Sequence, residues 1–240
     1  MRESFALNPA LDAAALAEEY RHAGRVSIAN ILEPASAEAL HQHLRARTDW
    51  LQVVNSGDAF YELTRAARAD MAEAQRGALE QAVYAGARYG FQYRYETVRV
   101  PDDDAARAAS DDALCAFARW WSDGPPRALL AAITGCETIT FADAQATAYG
   151  PGDFLTSHDD LVEGKHRVAA YVLSLTPKWR MEWGGLLLFH DAGDPTAQAV
   201  APVFNQLNLF AVGQMHSVSE VTRAAAYRRY SITGWLRTAR

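Results

Sequence analysis

Several features that define large protein classes are missing from this sequence of 240 residues. Its two cysteines, Cys115 and Cys136, are too few for a disulfide framework, and no Cys-x-x-Cys pair occurs. No apolar run approaches the roughly 20 residues that a membrane-spanning helix needs. Residues 1–4 lack the basic stretch before an apolar core that marks a secretory signal. We therefore expect a cytoplasmic protein whose two thiols stay reduced and buried.

Positive charge is also scarce. Lys and Arg number 23 against 29 Asp and Glu, and the net charge of −6 argues against nucleic-acid or anionic-membrane partners. Half of the residues are hydrophobic and 22% are charged, which are globular proportions. The length suits one domain with elaborations, and the composition sets no oligomeric state.

The first part of the chain has mainly helical patterns. We predict a helix over 9–24 with Asn8 as its cap, a second that opens at Pro34, and a third over 73–89 behind a capping box of Asp70 and Glu73. His22, His41 and His43 are expected on exposed helix faces. Short strand-like stretches occupy 26–32, 50–54, 60–63 and 91–97.

The residue pattern of the sequence changes near residue 138. From there, short runs rich in Val, Ile, Leu, Tyr and Phe are separated by Gly, Pro, Asn and Asp, which indicates a sandwich or barrel. We predict a single domain, 1–240, in which a helix-rich layer over 1–137 supports a β core over 138–240.

One short motif in the β half has the chemistry of a metal site. In an extended chain His158 and Asp160 point to the same side, while Asp159 points away. His216, at the mouth of another strand, is the natural third ligand. Two imidazoles and one carboxylate leave about three octahedral positions open, as in non-haem Fe(II) oxygenases. Two of these positions suit a bidentate 2-oxo acid and the third suits O₂.

A basic residue and a hydroxyl follow on the last strand, thirteen residues after His216. Arg229 and Ser231 lie on one strand face, and a guanidinium beside a hydroxyl suits the distal carboxylate of a dicarboxylic acid. Arg228 is a rival for this role, but it points away from Ser231. A surface ion pair is the alternative reading of Arg229.

Five segments together resemble a known family. They are residues 149–164, 183–189, 204–207, 216–221 and 229–235, in this order and spacing. Over about 145–236 the chain resembles the prolyl-hydroxylase-type 2-oxoglutarate/Fe(II) dioxygenases, nearest to the ribosomal prolyl hydroxylase branch. The resemblance implies a double-stranded β-helix, also called a jelly-roll or cupin-like fold, which is mainly β with helical support.

The resemblance also implies residue roles. His158, Asp160 and His216 would bind Fe(II), while Arg229 and Ser231 would hold the C5 carboxylate of 2-oxoglutarate. Further roles follow for five residues of the β half. Tyr149 would reach the same carboxylate or serve as a core aromatic, Leu155 and Leu173 would form apolar pocket walls, and Tyr171 with Asn205 is a weaker candidate pair.

The implied activity is hydroxylation of an unactivated C–H bond with release of succinate and CO₂, with ascorbate as a candidate reductant. The substrate stays open between a prolyl residue of a peptide and a small molecule such as a free amino acid. A zinc-dependent hydrolase and a non-catalytic β-sandwich binding module are the alternatives. Candidate entrance residues, which could equally pack the helix–sandwich interface, are Tyr93, Arg94, Tyr95, Trp179 and Trp183.

Overall fold

The computed structural model describes residues 5–57, 59–190 and 195–239. Residues 1–4, on which the absence of a secretory signal was argued, lie outside this part. The helices of the described residues are α1 (Ala13–Ala23), α2 (Pro34–Ala46), α3 (Arg65–Ala69), α4 (Glu73–Ala87), α5 (Asp104–Ala109), α6 (Ala113–Asp123) and α7 (Pro125–Thr134). None of these helices combines the length and the apolar character that crossing a bilayer requires.

Thirteen strands of the described residues join in one antiparallel network. They are β1 (Arg25–Ala29), β2 (Leu51–Ser56), β3 (Ala59–Thr64), β4 (Tyr93–Arg99), β5 (Phe141–Ala142), β6 (Gln145–Tyr149), β7 (Phe154–His158), β8 (Arg167–Ser174), β9 (Leu187–His190), β10 (Ala197–Val200), β11 (Gln206–Ala211), β12 (His216–Val218) and β13 (Arg229–Arg237). A short 3-10 turn, Met181–Trp183, precedes β9.

The strand order explains how the sheet curls. The main path runs β1-β11-β8-β13-β6-β4-β7-β12-β9-β10, with β2 and β3 added at β4 and β5 at β13. β4 is the corner, because it pairs with β6 through its second half and with β7 through Tyr93 and Arg94. The two halves of the sheet therefore face each other as in a jelly-roll, and the predicted double-stranded β-helix is confirmed.

The amino-terminal part supplies more strands than a helical layer would. β1 pairs with β11, and β4 lies between β6 and β7, so one sheet runs through both parts of the chain. The predicted strands are all present, with ends shifted by a few residues. The boundary at residue 137 stays a prediction.

The helices cover the outer face of the larger half-sheet. On α6, Leu114, Phe117, Ala118 and Trp121 recur at helical spacing and are at most 1% exposed. They join one large core with residues of β8, β11 and β13. Burial of this apolar face is the main reason for the helices to dock on the sheet.

Two helix starts differ from the sequence prediction. α1 begins after Asp12, whose carboxylate accepts from two backbone N–H groups. The backbone N–H of Asn8 instead donates to the Ile31 carbonyl. α4 begins after Ala72, whose N–H donates to Gln75, so the box of Asp70 and Glu73 is wrong. In both cases a nearby polar residue outcompeted the one that the pattern favoured.

His41 is not exposed as predicted. It is 7% exposed and meets the rings of Phe204 and Tyr230 edge-on. Its position on the inner stripe of α2, four residues after Ala37, places it in the helix–sheet interface.

Asn205 connects the amino-terminal segment to the sheet. Its amide oxygen accepts from the Leu32 N–H at 3.0 Å, and its amide nitrogen donates to the Leu32 carbonyl at 2.7 Å. It adopts φ 57°, which Asn tolerates better than most residues. The expectation that Asn205 contributes to a cosubstrate pocket is therefore wrong, because both polar atoms of its side chain are used structurally.

Asn205→Ala should lower the free energy of unfolding by about 2–4 kcal/mol, because it leaves two buried backbone groups unpaired. Asn30→Ala is the matched control, since Asn30 has φ 51° but is exposed and should lose only about 1 kcal/mol. Denaturant unfolding measures both. Equal losses in the two variants would contradict the structural role of the Asn205 hydrogen bonds.

Candidate active site

A cavity of about 420 Å³ lies inside the curl of the sheet. Both half-sheets contribute to its wall, so it is enclosed by strands whose inward side chains alternate with core or surface residues. Strand residues that line it include Tyr93, Tyr95, Thr147, Tyr149, Leu155, His158, Val172, His216, Val218, Arg229, Thr233 and Trp235.

The three predicted metal ligands meet in this cavity. His158 ends β7 and His216 begins β12, and the two residues are directly paired across the strands, with ring centroids 4.1 Å apart. The Asp160 carboxylate lies 3.5 Å from His158 Nε2 and 3.3 Å from His216 Nε2. One potential ligand atom from each residue lies within 4.8 Å of the others. This spacing suits a single ion.

The backbone brings Asp160 to this point in an unexpected way. Asp160 has φ 62°, so the chain turns through the left-handed region after β7 instead of continuing extended. The alternation argument named residues that do converge but assumed the wrong conformation. Asp159 accepts from the Leu161 N–H through its carboxylate, and it also borders the cavity.

Two backbone carbonyls orient the imidazoles. His158 Nδ1 lies 3.0 Å from the Thr156 carbonyl oxygen, and His216 Nδ1 lies 2.8 Å from that of Gln214. A carbonyl can only accept, so Nδ1 carries the proton in both rings and Nε2 offers its lone pair to the cavity. The sequence holds no signal for these partners, because any residue provides a carbonyl.

The electrostatics favour the protonation states that bind a metal. Burial lowers the pKa of His158, and the neighbouring His216 lowers it further. Burial alone would raise the pKa of Asp160, but its interactions with the adjacent His216 and His158 hold it below its usual value. The two shifts favour a neutral imidazole at His158 and an ionised carboxylate at Asp160, the forms that metal ligands require.

A buried cation without a counter-ion lines the same cavity. Arg229 is 3% exposed, and no carboxylate of the described residues forms an ion pair with it. Its guanidinium lies over the Tyr149 ring, with Cζ 5.1 Å from the centroid, and its Nε has no partner. Burial lowers the pKa of Arg229. An anion would satisfy this group.

Ser231 and Tyr149 are the other two residues predicted to reach the distal carboxylate, and of these Tyr149 lines the cavity and contacts the guanidinium. Ser231 shares the strand face of Arg229, is fully buried, and its Oγ has no hydrogen-bond partner. Tyr149 is paired with Arg229 across the strands and stacks on Tyr95 at 5.0 Å. Tyr149 is therefore both a packed aromatic and part of the cavity wall.

The two candidate arginines point to opposite faces of the sheet, Arg228 just before β13 and Arg229 as its first residue. Arg228 Nη1 donates to Glu96 at 2.8 Å on the outer face, whereas Arg229 lines the cavity. Leu155 lines the cavity as expected. Leu173 does not, because Ala170 and Val172 hold the inward positions of β8 and Leu173 lies in the main core. Its role as a pocket wall is wrong.

Of the candidate entrance residues, Tyr93 and Tyr95 line the cavity, and their role at an entrance stays a prediction. Arg94 points outward and donates to the Gly152 carbonyl. Trp179 and Trp183 contact each other edge-on, outside the cavity lining. Tyr171 borders the cavity, but its hydroxyl donates to the Asp143 carbonyl at 2.6 Å.

Sequence reasoning missed Arg167. It lines the cavity, stacks on Trp235 with Cζ 3.6 Å from the ring centroid, and donates to the Asp160 carbonyl at 3.0 Å. Its Nε is buried without a partner. Nearby, the rim of the cavity exposes the apolar side chains of Phe91, Leu161 and Val162. The charged turn around Arg167 gave no indication of this placement.

Comparison with known proteins supports the resemblance to 2-oxoglutarate/Fe(II) oxygenases. The 2OG-Fe(II) oxygenase superfamily model matches residues 144–237. The chain is 34% identical over 110 residues to the prolyl 3-hydroxylase sudestada1 of Drosophila melanogaster, covering 40% of this chain but only 20% of that protein. The chain thus spans about a fifth of the length of this curated relative.

Two solved structures share the fold. A Pseudomonas putida prolyl-4-hydroxylase superposes with a TM-score of 0.61 at 20% identity, covering 94% of this chain and 98% of that one. A Trichoplax adhaerens prolyl hydroxylase, solved with a hypoxia-inducible-factor peptide fragment, gives 0.60 at 17% identity, covering 94% and 89%. Both structures share the fold of this chain, whose residues 144–237 match the 2OG-Fe(II) oxygenase superfamily model.

Proposed function

We propose that this protein is a 2-oxoglutarate- and Fe(II)-dependent dioxygenase that hydroxylates a prolyl residue of a peptide or protein. One observation carries the proposal. The cavity that holds the His158, Asp160 and His216 group is also lined by Arg229, a buried guanidinium without a carboxylate partner among the described residues. A metal site beside an unpaired cation suits a cosubstrate that chelates at one end and is anionic at the other.

His158, Asp160 and His216 would hold the iron. Their fit rests on the two Nε2 atoms that the backbone carbonyls leave free and on a carboxylate that the imidazoles keep ionised. When bound, Fe(II) with 2-oxoglutarate and O₂ supplies the chemistry that hydroxylates an unactivated C–H bond and releases succinate and CO₂. The protein contributes a fixed ligand geometry and an enclosed cavity.

Arg229 would bind the C5 carboxylate of 2-oxoglutarate through its planar fork, with the Ser231 Oγ as a second donor. Both groups are buried and lack partners, so a carboxylate would satisfy them together. Tyr149 holds the guanidinium from one side, and Leu155 closes the wall. Anchoring the distant end of the cosubstrate fixes its orientation at the metal.

The substrate assignment rests on the cavity rim and the relative. Phe91, Leu161 and Val162 present an exposed apolar rim, which suits an apolar side chain such as proline better than a charged metabolite. Arg167 has an unused Nε that would donate to a substrate carbonyl. The sudestada1 relative is named a prolyl 3-hydroxylase, although this chain spans a fifth of it.

The two rival functions receive no support. A zinc hydrolase gives no role to the unpaired Arg229, and a binding module gives none to the metal group; the family match supports neither. We propose a cytoplasmic location because Cys115 and Cys136 are both free thiols. We also propose that the protein has no nucleic-acid or membrane partner. Cell fractionation of the native protein tests this location.

Asp160→Ala should weaken Mn(II) binding by at least about 100-fold, since losing a ligand exceeds the 10–100-fold effect of a group that only orients one. The neighbouring Asp159→Ala should stay within a few-fold of the unchanged protein. Titration followed by electron paramagnetic resonance measures both affinities. A comparable loss in Asp159→Ala would show that the ligand assignment is wrong.

Arg229→Gln should weaken 2-oxoglutarate binding to the Mn(II)-loaded protein by about 100-fold, because charge-assisted hydrogen bonds to the carboxylate are lost. Mn(II) affinity should not change. Arg228→Gln is the matched control, because Arg228 lies on the outer face, and its 2-oxoglutarate affinity should stay within twofold.

The variants Arg229→Gln and Arg228→Gln also test whether Arg229 is unpaired in the protein without 2-oxoglutarate. Removing an uncompensated buried charge should leave the unliganded Arg229→Gln variant at least as stable as the unchanged protein. A large loss of stability without a change in 2-oxoglutarate affinity would identify Arg229 as a structural residue instead.

The activity is tested by incubating the protein with Fe(II), ascorbate, 2-oxoglutarate and a library of short peptides with one central proline. We expect succinate release and a mass gain of one oxygen atom in some peptides, but not in matched alanine versions. Arg167→Lys, which keeps the charge but loses the planar fork, should raise the peptide KM more than it lowers kcat.

Three outcomes would contradict parts of this proposal. Absence of succinate under all conditions would exclude the oxygenase function. Succinate release stimulated by a free amino acid, but by no peptide, would overturn the substrate assignment alone. Zinc-dependent ester cleavage would favour the hydrolase.

A further inference from the structure

A second cationic cavity lies on the outer face of the sheet, behind the strands that line the active site. It has a volume of about 320 Å³ and is bordered by α3 and α4, by the loop 150–153, by the outer side of β4 and by Arg228 just before β13. We call it the outer arginine pocket and define it by Arg68, Arg76, Arg94 and Arg228. Nothing in the proposed oxygenase function uses these residues.

The pocket has more positive than negative charge. Behind its wall, the fully buried Glu96 accepts hydrogen bonds from Arg65, Arg68 and Arg228. One carboxylate neutralises one of these three guanidinium groups. Glu80 and Asp153 are the acidic residues that line the pocket, so its four arginines face two lining carboxylates and the Glu96 carboxylate behind the wall.

The charge on Asp153 is itself reduced. Burial raises the pKa of Asp153 to about 7, although the Gly150 N–H, Arg94 and Arg228 oppose the shift. Near neutral pH this group is therefore only partly ionised, and it compensates the surrounding arginines incompletely.

Several guanidinium donors remain unused. Arg68 contacts Glu96 through one terminal nitrogen, and its Nε is buried without a partner. Arg228 also contacts Glu96 through a single nitrogen. Arg76 is exposed and donates to the Met71 carbonyl only. Each guanidinium has five N–H donors in a fixed fork, and such forks match phosphate and carboxylate oxygens.

A purely structural role explains the cluster incompletely. A buried carboxylate needs one well-placed arginine to tie β4 to its neighbours, and additional like charges repel one another. Arg76 reaches the pocket from α4 without contacting any carboxylate at ion-pair distance. An anion in the pocket would compensate this surplus.

We propose that the outer arginine pocket binds a small anion carrying two or more negative charges, of phosphate or carboxylate chemistry. The site is separate from the iron cavity, since the consecutive residues Arg228 and Arg229 point to opposite faces of the sheet. The inference does not depend on the proposed function.

The test uses protein loaded with Mn(II) and N-oxalylglycine, so that the Arg229 site is already filled. Inorganic phosphate, or in a second arm the tricarboxylate tricarballylate, is titrated by calorimetry at ionic strength held constant with NaCl. We expect saturable binding of one anion per chain. The arm with the tighter binding identifies the preferred chemistry.

Arg76→Gln should weaken this binding at least about tenfold, the effect of one lost charge-assisted contact. Arg76→Glu should abolish it. Arg88→Gln is the matched control, because Arg88 is exposed at the other end of α4, outside the pocket, and it should stay within twofold. Arg76 is exposed, so both variants should fold, which unfolding curves verify.

Three results would overturn the proposal. The first is the absence of saturable binding in both arms. The second is an unchanged affinity in Arg76→Gln and Arg76→Glu. The third is competition between the anion and added N-oxalylglycine, which would place the anion in the iron cavity. Failure of N-oxalylglycine to bind would instead count against the oxygenase function, and titration of the unloaded Arg76 variants would still decide the outer site.

Discussion

The Arg229 guanidinium is almost entirely buried and has no counter-charge among the described residues. Much of the surrounding structure packs around this group. Burying an ionised group without a partner is unfavourable, so its retention indicates an anionic ligand. The pair Gly184 and Gly185 packs closely against neighbouring chain segments. A Cβ on Gly184 would lie 2.0 Å from the Glu220 carbonyl oxygen, and one on Gly185, at φ 61°, would crowd Val221 and Trp179. The two glycines are therefore a packing requirement of the chain segment beside Arg229.

Strand alternation distributes charge between the two faces of the sheet. Arg229, the first residue of β13, points inward and the preceding Arg228 points outward, while β4 directs Tyr95 inward and Glu96 outward. Aromatic rings, the His158, Asp160 and His216 group and two arginines thus form the inner wall, and the ion-pair network occupies the outer wall. A shift of one residue in register would exchange these sets and destroy both sites.

The sequence was most informative where chemistry and periodicity agreed. His158, Asp160 and His216 were identified because few residue types bind iron, and Arg229 because its strand neighbour is a hydroxyl. Features set by tertiary structure were missed: the left-handed turn at Asp160, the burial of His41 and the core position of Leu173. Arg167 was missed for the same reason, since only the folded chain shows that it stacks on Trp235 beside the triad.

The metal group by itself does not define the reaction. Two imidazoles and a carboxylate also bind zinc, and the same scaffold supports different chemistries. The proposed carboxylate site at Arg229 would favour the oxygenase, because a hydrolase needs no second charge in its metal cavity, whereas a keto diacid must be held at both ends. The two free Nε2 atoms fix where such a cosubstrate would chelate, and the unpaired guanidinium with the Ser231 hydroxyl fixes where its other carboxylate would lie. The remaining volume opens toward the apolar rim, and Arg167 is the polar group best placed to orient a backbone there.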